Sequence, residues 1–302
     1  MTRATVLVTG ATGQIGYSVV RACVERGIPV VAVSRTAPPS WAAALNGVRW
    51  HRHDLSVSAL AVEPAVARWV HCAPLGLAAR VVAAMPGLKH AVAFSSTSVL
   101  VKRDSPDRRE RAVVAQLLDG EARFSGSCEE RAVGWTLLRP TLIYGRGMDQ
   151  NLSRLARWAG RMPFFPLADG GRGLRQPVHA GDLAQAALTA LERPESNRRS
   201  YVLAGGTTLS YRDMVGAVYR SVGRTPRFLR LPGGLLTLLI RGFAGPQVPW
   251  AMVGRMGQDL VFDDCLAREE LGYDPRPFVP DAATWEPPAG KPAPGQAREG
   301  PE

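Results

Sequence analysis

One stretch limits what this chain can fold into more than any other: Val6-Leu7-Val8-Thr9-Gly10-Ala11-Thr12-Gly13-Gln14-Ile15-Gly16. An apolar run of strand length enters a glycine-rich turn and leaves on a segment carrying Ile15, Val19, Val20, Cys23 and Val24 at helical spacing. Each glycine has its own task. Gly10 lets the strand turn sharply, Gly13 removes a side chain where a pyrophosphate would press on the backbone, and Gly16 lets the helix approach the sheet. The N–H groups of that helix's first turn then face the anion.

The pattern repeats downstream. Strands are expected over 29–34, 48–55, 67–73, 89–95 and 135–140, with helices over 75–85 and 109–130 between them. Such alternation predicts an α/β fold, a doubly wound parallel sheet. Beyond Met148 the alternation becomes irregular, with helices expected over 151–158, 182–191 and 211–222. Asp182 is expected to cap the second of these and Ser210 the third.

The GxxGxxG turn at Thr9 to Gly16 resembles the cofactor loop of short-chain dehydrogenases/reductases, and most of all their extended branch, the NAD-dependent epimerase/dehydratase family. Ser95-Ser96-Thr97, Leu138-Arg139-Pro140 with Ile143-Tyr144-Gly145, and the run from Arg175 through His179 and Asp182 to Ala184 carry the same likeness over roughly residues 4–280. The resemblance implies a Rossmann-type core over 1–147. Residues 148–284 would complete that core and form a small C-terminal substrate lobe, and 285–302 would be a disordered tail. It further implies that Thr9, Gly10, Thr12, Gly13, Gln14, Ile15, Gly16, Asp54, Leu55 and Ser95 contact the nucleotide. Thr97 would face the reacting oxygen, and Arg175 an anionic, nucleotide-sugar-like substrate.

NAD-selective proteins place a carboxylate at the end of the second strand to hold the adenosine ribose. Here Ser34 stands there, followed by Arg35. A carboxylate repels a 2′-phosphate and a guanidinium grips one, so NADP(H) is expected over NAD(H).

The family's chemistry rests on a Tyr four residues before a Lys, the phenol moving a proton while hydride moves. This chain lacks the pair. Four positions before its three lysines stand Met85, Ser98 and Pro287, and no tyrosine lies between Tyr17 and Tyr144. Counting back from Leu138-Arg139-Pro140 through Glu121 puts Val113 and Leu117 in the two places. One helical turn apart, they are expected to pack together and close the pocket. Thr97 and Lys102 are the remaining proton-moving candidates, although Lys102 falls in a charged run at 102–109 that reads as an exposed loop. Two functions stay open: redox-sensing or structural binding of the cofactor, and an active oxidoreductase or epimerase with a non-standard proton donor.

Net charge is +11, yet the excess is arginine spread through the chain and accompanies no nucleic-acid-reading motif, so no nucleic-acid partner is expected. Arg154, Arg157, Arg172 and Arg175 offer an anion-accepting rim. Cys23, Cys72, Cys128 and Cys265 follow no ligand spacing, and His51 and His53 lack a third partner, so no metal is expected. Reduced thiols and the absence of a basic-then-apolar leader lead us to expect a cytoplasmic protein. No apolar run reaches the ~18 residues of a membrane span. The apolar stretch at 231–241 leaves a core helix, a protein contact or a surface-lying membrane contact open.

Overall fold

The computed structural model describes residues 4–58, 60, 66–234 and 255–289. In chain order the strands and helices are β1 (Val6–Thr9), α1 (Gln14–Glu25), β2 (Val30–Ser34), β3 (Val48–Arg52), β4 (Arg68–His71), α2 (Ala78–Ala83), β5 (His90–Phe94), α3 (Ser98–Val101), α4 (Arg108–Glu130) and β6 (Gly134–Pro140). Then follow β7 (Ile143–Tyr144), α5 (Leu152–Arg161), β8 (Phe164–Ala168), β9 (Leu174–Arg175), β10 (Val178–His179), α6 (Ala180–Ala190), β11 (Arg199–Leu203), β12 (Leu209–Ser210), α7 (Tyr211–Ser221), β13 (Arg227–Leu231) and α8 (Cys265–Leu271).

Seven strands form one sheet in the order β3-β2-β1-β4-β5-β6-β11, every neighbouring pair parallel. The inner strands β1, β2 and β5 are short and apolar because helices cover both faces. On one face Val6, Val8, Val30 and Ala32 pack with Val19, Val20 and Cys23 of α1 and with Leu183, Ala187 and Leu188 of α6. On the other, Leu7, Val31, Val33 and Trp69 meet Val81 and Val82 of α2 and Phe124 and Cys128 of α4. This is the Rossmann-type α/β architecture, and its chain order reverses between β1 and β4, which opens a crevice at the carboxyl ends of those strands. The second half contributes β11 and α6 to this core. A separate cluster built on α5, α7 and the parallel pair β8–β13 makes the small lobe.

Several expectations change. The helix expected over 75–85 is a single turn of 3-10 helix at Leu75–Leu77 followed by the short α2. Asp182 does not cap α6. His179 does, its Nδ1 accepting from the Gly181 N–H at 3.0 Å, while the Asp182 carboxylate accepts from Arg276 Nε at 2.8 Å. Ser210 caps α7 as expected, accepting from the Asp213 N–H at 3.0 Å. Trp285 donates to Ser221 Oγ at 2.7 Å and the Ala289 carbonyl accepts from Ser40 Oγ at 2.8 Å, so the described chain stays docked past the point where the tail was expected to begin. The apolar stretch from 235 onward and the tail from 290 lie outside the described residues.

Candidate functional site

The glycine turn sits at the crevice. Gly10 has a φ of +71°, and a Cβ there would lie 2.6 Å from the backbone of Cys72, so only glycine fits between β1 and the end of β4. A Cβ on Gly16 would lie 2.2 Å from the Gly10 carbonyl oxygen, which shows how closely α1 is drawn against the turn. Gly13 is the N-cap of α1. No side chain caps the helix and no acid stands in its first turn, so its N-terminal N–H groups are left for an outside anion. Gln14 donates from Nε2 to the Gly145 carbonyl at 2.8 Å and thereby ties the turn to β7. Ile15 packs on the α1 side of the core. Thr12 is half-buried at the tip.

Beneath the turn lies a closed relay. Trp69 Nε1 donates to Thr9 Oγ1 at 3.0 Å, and Thr9 Oγ1 stands 2.8 Å from His71 Nδ1. His71 Nε2 lies 3.1 Å from the Pro74 carbonyl. A carbonyl only accepts, so Nε2 carries the proton and Nδ1 accepts from the Thr9 hydroxyl. Burial lowers the His71 pKa to about 4, leaving a neutral ring. The Thr9 side chain is therefore spent on the core, and its carbonyl accepts from the Cys72 N–H at 2.9 Å.

At the end of β2, Ser34 is buried and donates to the Thr36 carbonyl at 2.8 Å, while Arg35 is exposed. Asp54 accepts from the N–H and the hydroxyl of Ser56 at 2.9 and 2.6 Å, which together with the nearby Arg35 guanidinium holds its carboxyl below the usual range. The Leu55 side chain is in the core on the α2 and α4 side.

At the end of β5, the Ser95 N–H donates to the Leu138 carbonyl, but its buried Oγ has no partner among the described residues. An orphaned hydroxyl at the mouth of the crevice and an uncapped helix behind a turn closed to any Cβ are features that a dinucleotide satisfies. The residues fit that cofactor.

The proton-moving candidates fare differently. Thr97 Oγ1 donates to the Pro140 carbonyl at 3.1 Å. Lys102 does not lie in an exposed loop. It is half-buried, 3.4 Å from Glu110, which also accepts from Ser105 Oγ at 2.7 Å and pairs bidentately with Arg255. Burial, then Arg255 and Arg175, lower its pKa. Val113 does not pack to close a pocket but is 53% exposed, while Leu117 is half-buried on the same helix. One turn further along, Glu121 is buried and pairs with Arg139 through Nε at 2.9 Å, fixing α4 to β6.

Arg175 is buried and already donates from Nη1 to the carbonyls of Leu174 and Gln258, both at 2.7 Å, and from Nη2 to that of Arg255. It therefore anchors the 255–258 segment, while Arg154, Arg157 and Arg161 neighbour one another on α5. Arg172 is exposed. His53 Nε2 lies 3.1 Å from the Ser58 carbonyl, and no cluster of three metal-ligating side chains occurs among the described residues. The tie between Lys102, Glu110 and Arg255 had no sequence signal, because Arg255 lies 145 residues beyond Glu110.

Comparison with known proteins finds likenesses in sequence and in fold. Residues 6–107 match the family described as the NAD dependent epimerase/dehydratase family. The chain is 28% identical over 241 residues to an NAD(P)H azoreductase of Xenophilus azovorans, covering 75% of this chain and 77% of that one. It is 29% identical over 98 residues to NADH dehydrogenase [ubiquinone] 1 alpha subcomplex subunit 9, mitochondrial, of Arabidopsis thaliana, covering 32% of this chain but 24% of that subunit. In fold it matches the UDP-glucuronic acid 4-epimerase of Bacillus cereus in complex with NAD, with a TM-score of 0.70 at 16% identity, over 93% of this chain and 97% of that one.

Proposed function

We propose that this chain, whose residues 6–107 match the NAD dependent epimerase/dehydratase family, binds NADP(H) without that family's usual proton donor and uses it for redox sensing or as a structural cofactor. The observation that carries this reading is the hydrocarbon pair Val113 and Leu117 on α4, set beside an intact nucleotide turn. A bound nicotinamide supplies hydride. The chain's part is to hold the pyrophosphate on the first turn of α1, to offer it the Ser95 hydroxyl, unpartnered among the described residues, and to present Arg35 at the adenosine end. Neither Val113 nor Leu117 can exchange a proton, Thr97 already donates to a carbonyl, and Lys102 is held in an ion pair with Glu110. General acid catalysis commonly contributes ~100- to 10,000-fold. Its loss does not touch the glycine turn or the first turn of α1, which hold the pyrophosphate.

A second reading is favoured by the likeness to the NAD(P)H azoreductase. An acceptor that draws its proton from water needs no phenol, and the chain would then be a working reductase. Calorimetric titration with NADPH and NADH, followed by nicotinamide absorbance in the presence of azo compounds and of sugar nucleotides, separates the two. Tight NADPH binding with no oxidation supports the first reading, and acceptor-dependent oxidation supports the second. Equal or tighter binding of NADH overturns the cofactor preference.

A further inference from the structure

β2 and β3 run parallel in a register that sets Ala32 opposite Trp50 and Ser34 opposite Arg52. Paired residues share a face of the sheet. Ala32 and Trp50 pack with α1, so Ser34 and Arg52 stand on the face where α1 presents its N-terminus. Arg52 Nε lies 3.4 Å from the Arg35 carbonyl, which folds its guanidinium back over the end of β2. Arg35 and Arg52 are both exposed. The Asp54 carboxylate is occupied by Ser56 and lies close enough to Arg35 for the guanidinium to favour its ionised form. Two guanidiniums facing one partly spent carboxylate leave an unbalanced positive charge at the adenosine end of the crevice.

The geometry points to Arg52 as the second arm of a clamp, with Arg35, for the phosphate of a 2′-phosphorylated adenine nucleotide. This rests on the reading that the crevice takes NADP(H), and goes beyond it by naming a residue from a neighbouring strand. A dianionic phosphate offers enough acceptor oxygens for both guanidiniums, and each charge-assisted contact changes affinity by roughly tenfold or more.

The test titrates the full chain by calorimetry with adenosine 2′,5′-bisphosphate and with 5′-AMP, which isolates the 2′-phosphate from the nicotinamide. The parent protein binds the bisphosphate at least about tenfold more tightly than 5′-AMP. Arg52→Ala loses about tenfold on the bisphosphate and nothing on 5′-AMP, with an unchanged melting temperature, and Arg52→Lys recovers part of the loss. Arg35→Ala behaves alike. If Arg52→Ala keeps the parent's preference while Arg35→Ala loses it, the clamp is overturned and the NADP(H) reading stands. If Arg52→Ala weakens both ligands equally, Arg52 acts on the fold or the base and the clamp is again overturned. If the parent itself shows no preference, the NADP(H) reading fails and the clamp with it.

Discussion

Acid should loosen this protein through His71. The ring is fully buried at the end of β4, between the Thr9 hydroxyl and the Pro74 carbonyl, and its pKa is lowered to about 4 from the ordinary 6.5. The folded state therefore binds this proton less readily than the unfolded state, so the neutral ring's contribution is intact above the unfolded pKa. It is lost as pH falls from about 6.5 towards about 4. A gap of that size corresponds to roughly 3 kcal/mol in full, of which about 2.5 kcal/mol is gone by about pH 4.5. Burial of His90 and of His179 lowers their pKa values to about 4 as well, so wild-type acid sensitivity alone does not isolate one ring. The measurement is urea unfolding of the parent and of His71→Gln at intervals between about pH 7.5 and about pH 4.5. The variant is less stable at neutral pH but flatter with pH, the two curves converging by about 2.5 kcal/mol. Curves that stay parallel over that range would refute the argument.

Gly16→Ala brings its methyl against the Gly10 carbonyl and forces α1 away from the turn. An overpacking penalty of about 1–3 kcal/mol should appear as a lower melting temperature and as nucleotide affinity reduced roughly 10- to 100-fold by calorimetry. Arg139→Met leaves the Glu121 carboxylate buried without its partner and should destabilise by roughly 3 kcal/mol in urea unfolding, whereas the double change Arg139→Met with Glu121→Leu should recover most of that loss. Placing the family's pair on α4, Val113→Tyr with Leu117→Lys, should raise acceptor-dependent NADPH oxidation at least about 100-fold while leaving NADPH affinity within about threefold. Stopped-flow absorbance checks this, and an unchanged rate with a folded protein would show that the missing phenol is not what limits the chemistry.

What could be read from the sequence was mostly local. A strand entering three glycines needs no distant residue to explain it, and neither does Ser210 ahead of Asp213 at the head of α7. The succession of strands was legible because both faces of the inner sheet are buried, which makes β1, β2 and β5 nearly unbroken apolar runs. The misreadings share a different cause, namely partners remote in the chain. Asp182 has the sequence look of a helix cap, but Arg276, 94 residues away, takes its carboxylate and leaves capping to His179. Arg175 looks like a substrate ligand until the carbonyls of Arg255 and Gln258 fold onto it. Lys102 reads as solvated because nothing nearby predicts that Arg255 will join it at Glu110, 145 residues earlier. The pairing of β8 with β13 is of the same kind.

The margin of the main sheet has a consequence for anyone redesigning this protein. β3 is one of its two edge strands, largely solvent-facing, and carries Arg49, His51 and Arg52 within five residues. Charged side chains on such a rim discourage a second copy from adding its own strand. Neutralising Arg52 to retune nucleotide choice would therefore also remove one of the guards against self-association, so the better exchange is for another charged residue than for alanine or a β-branched one.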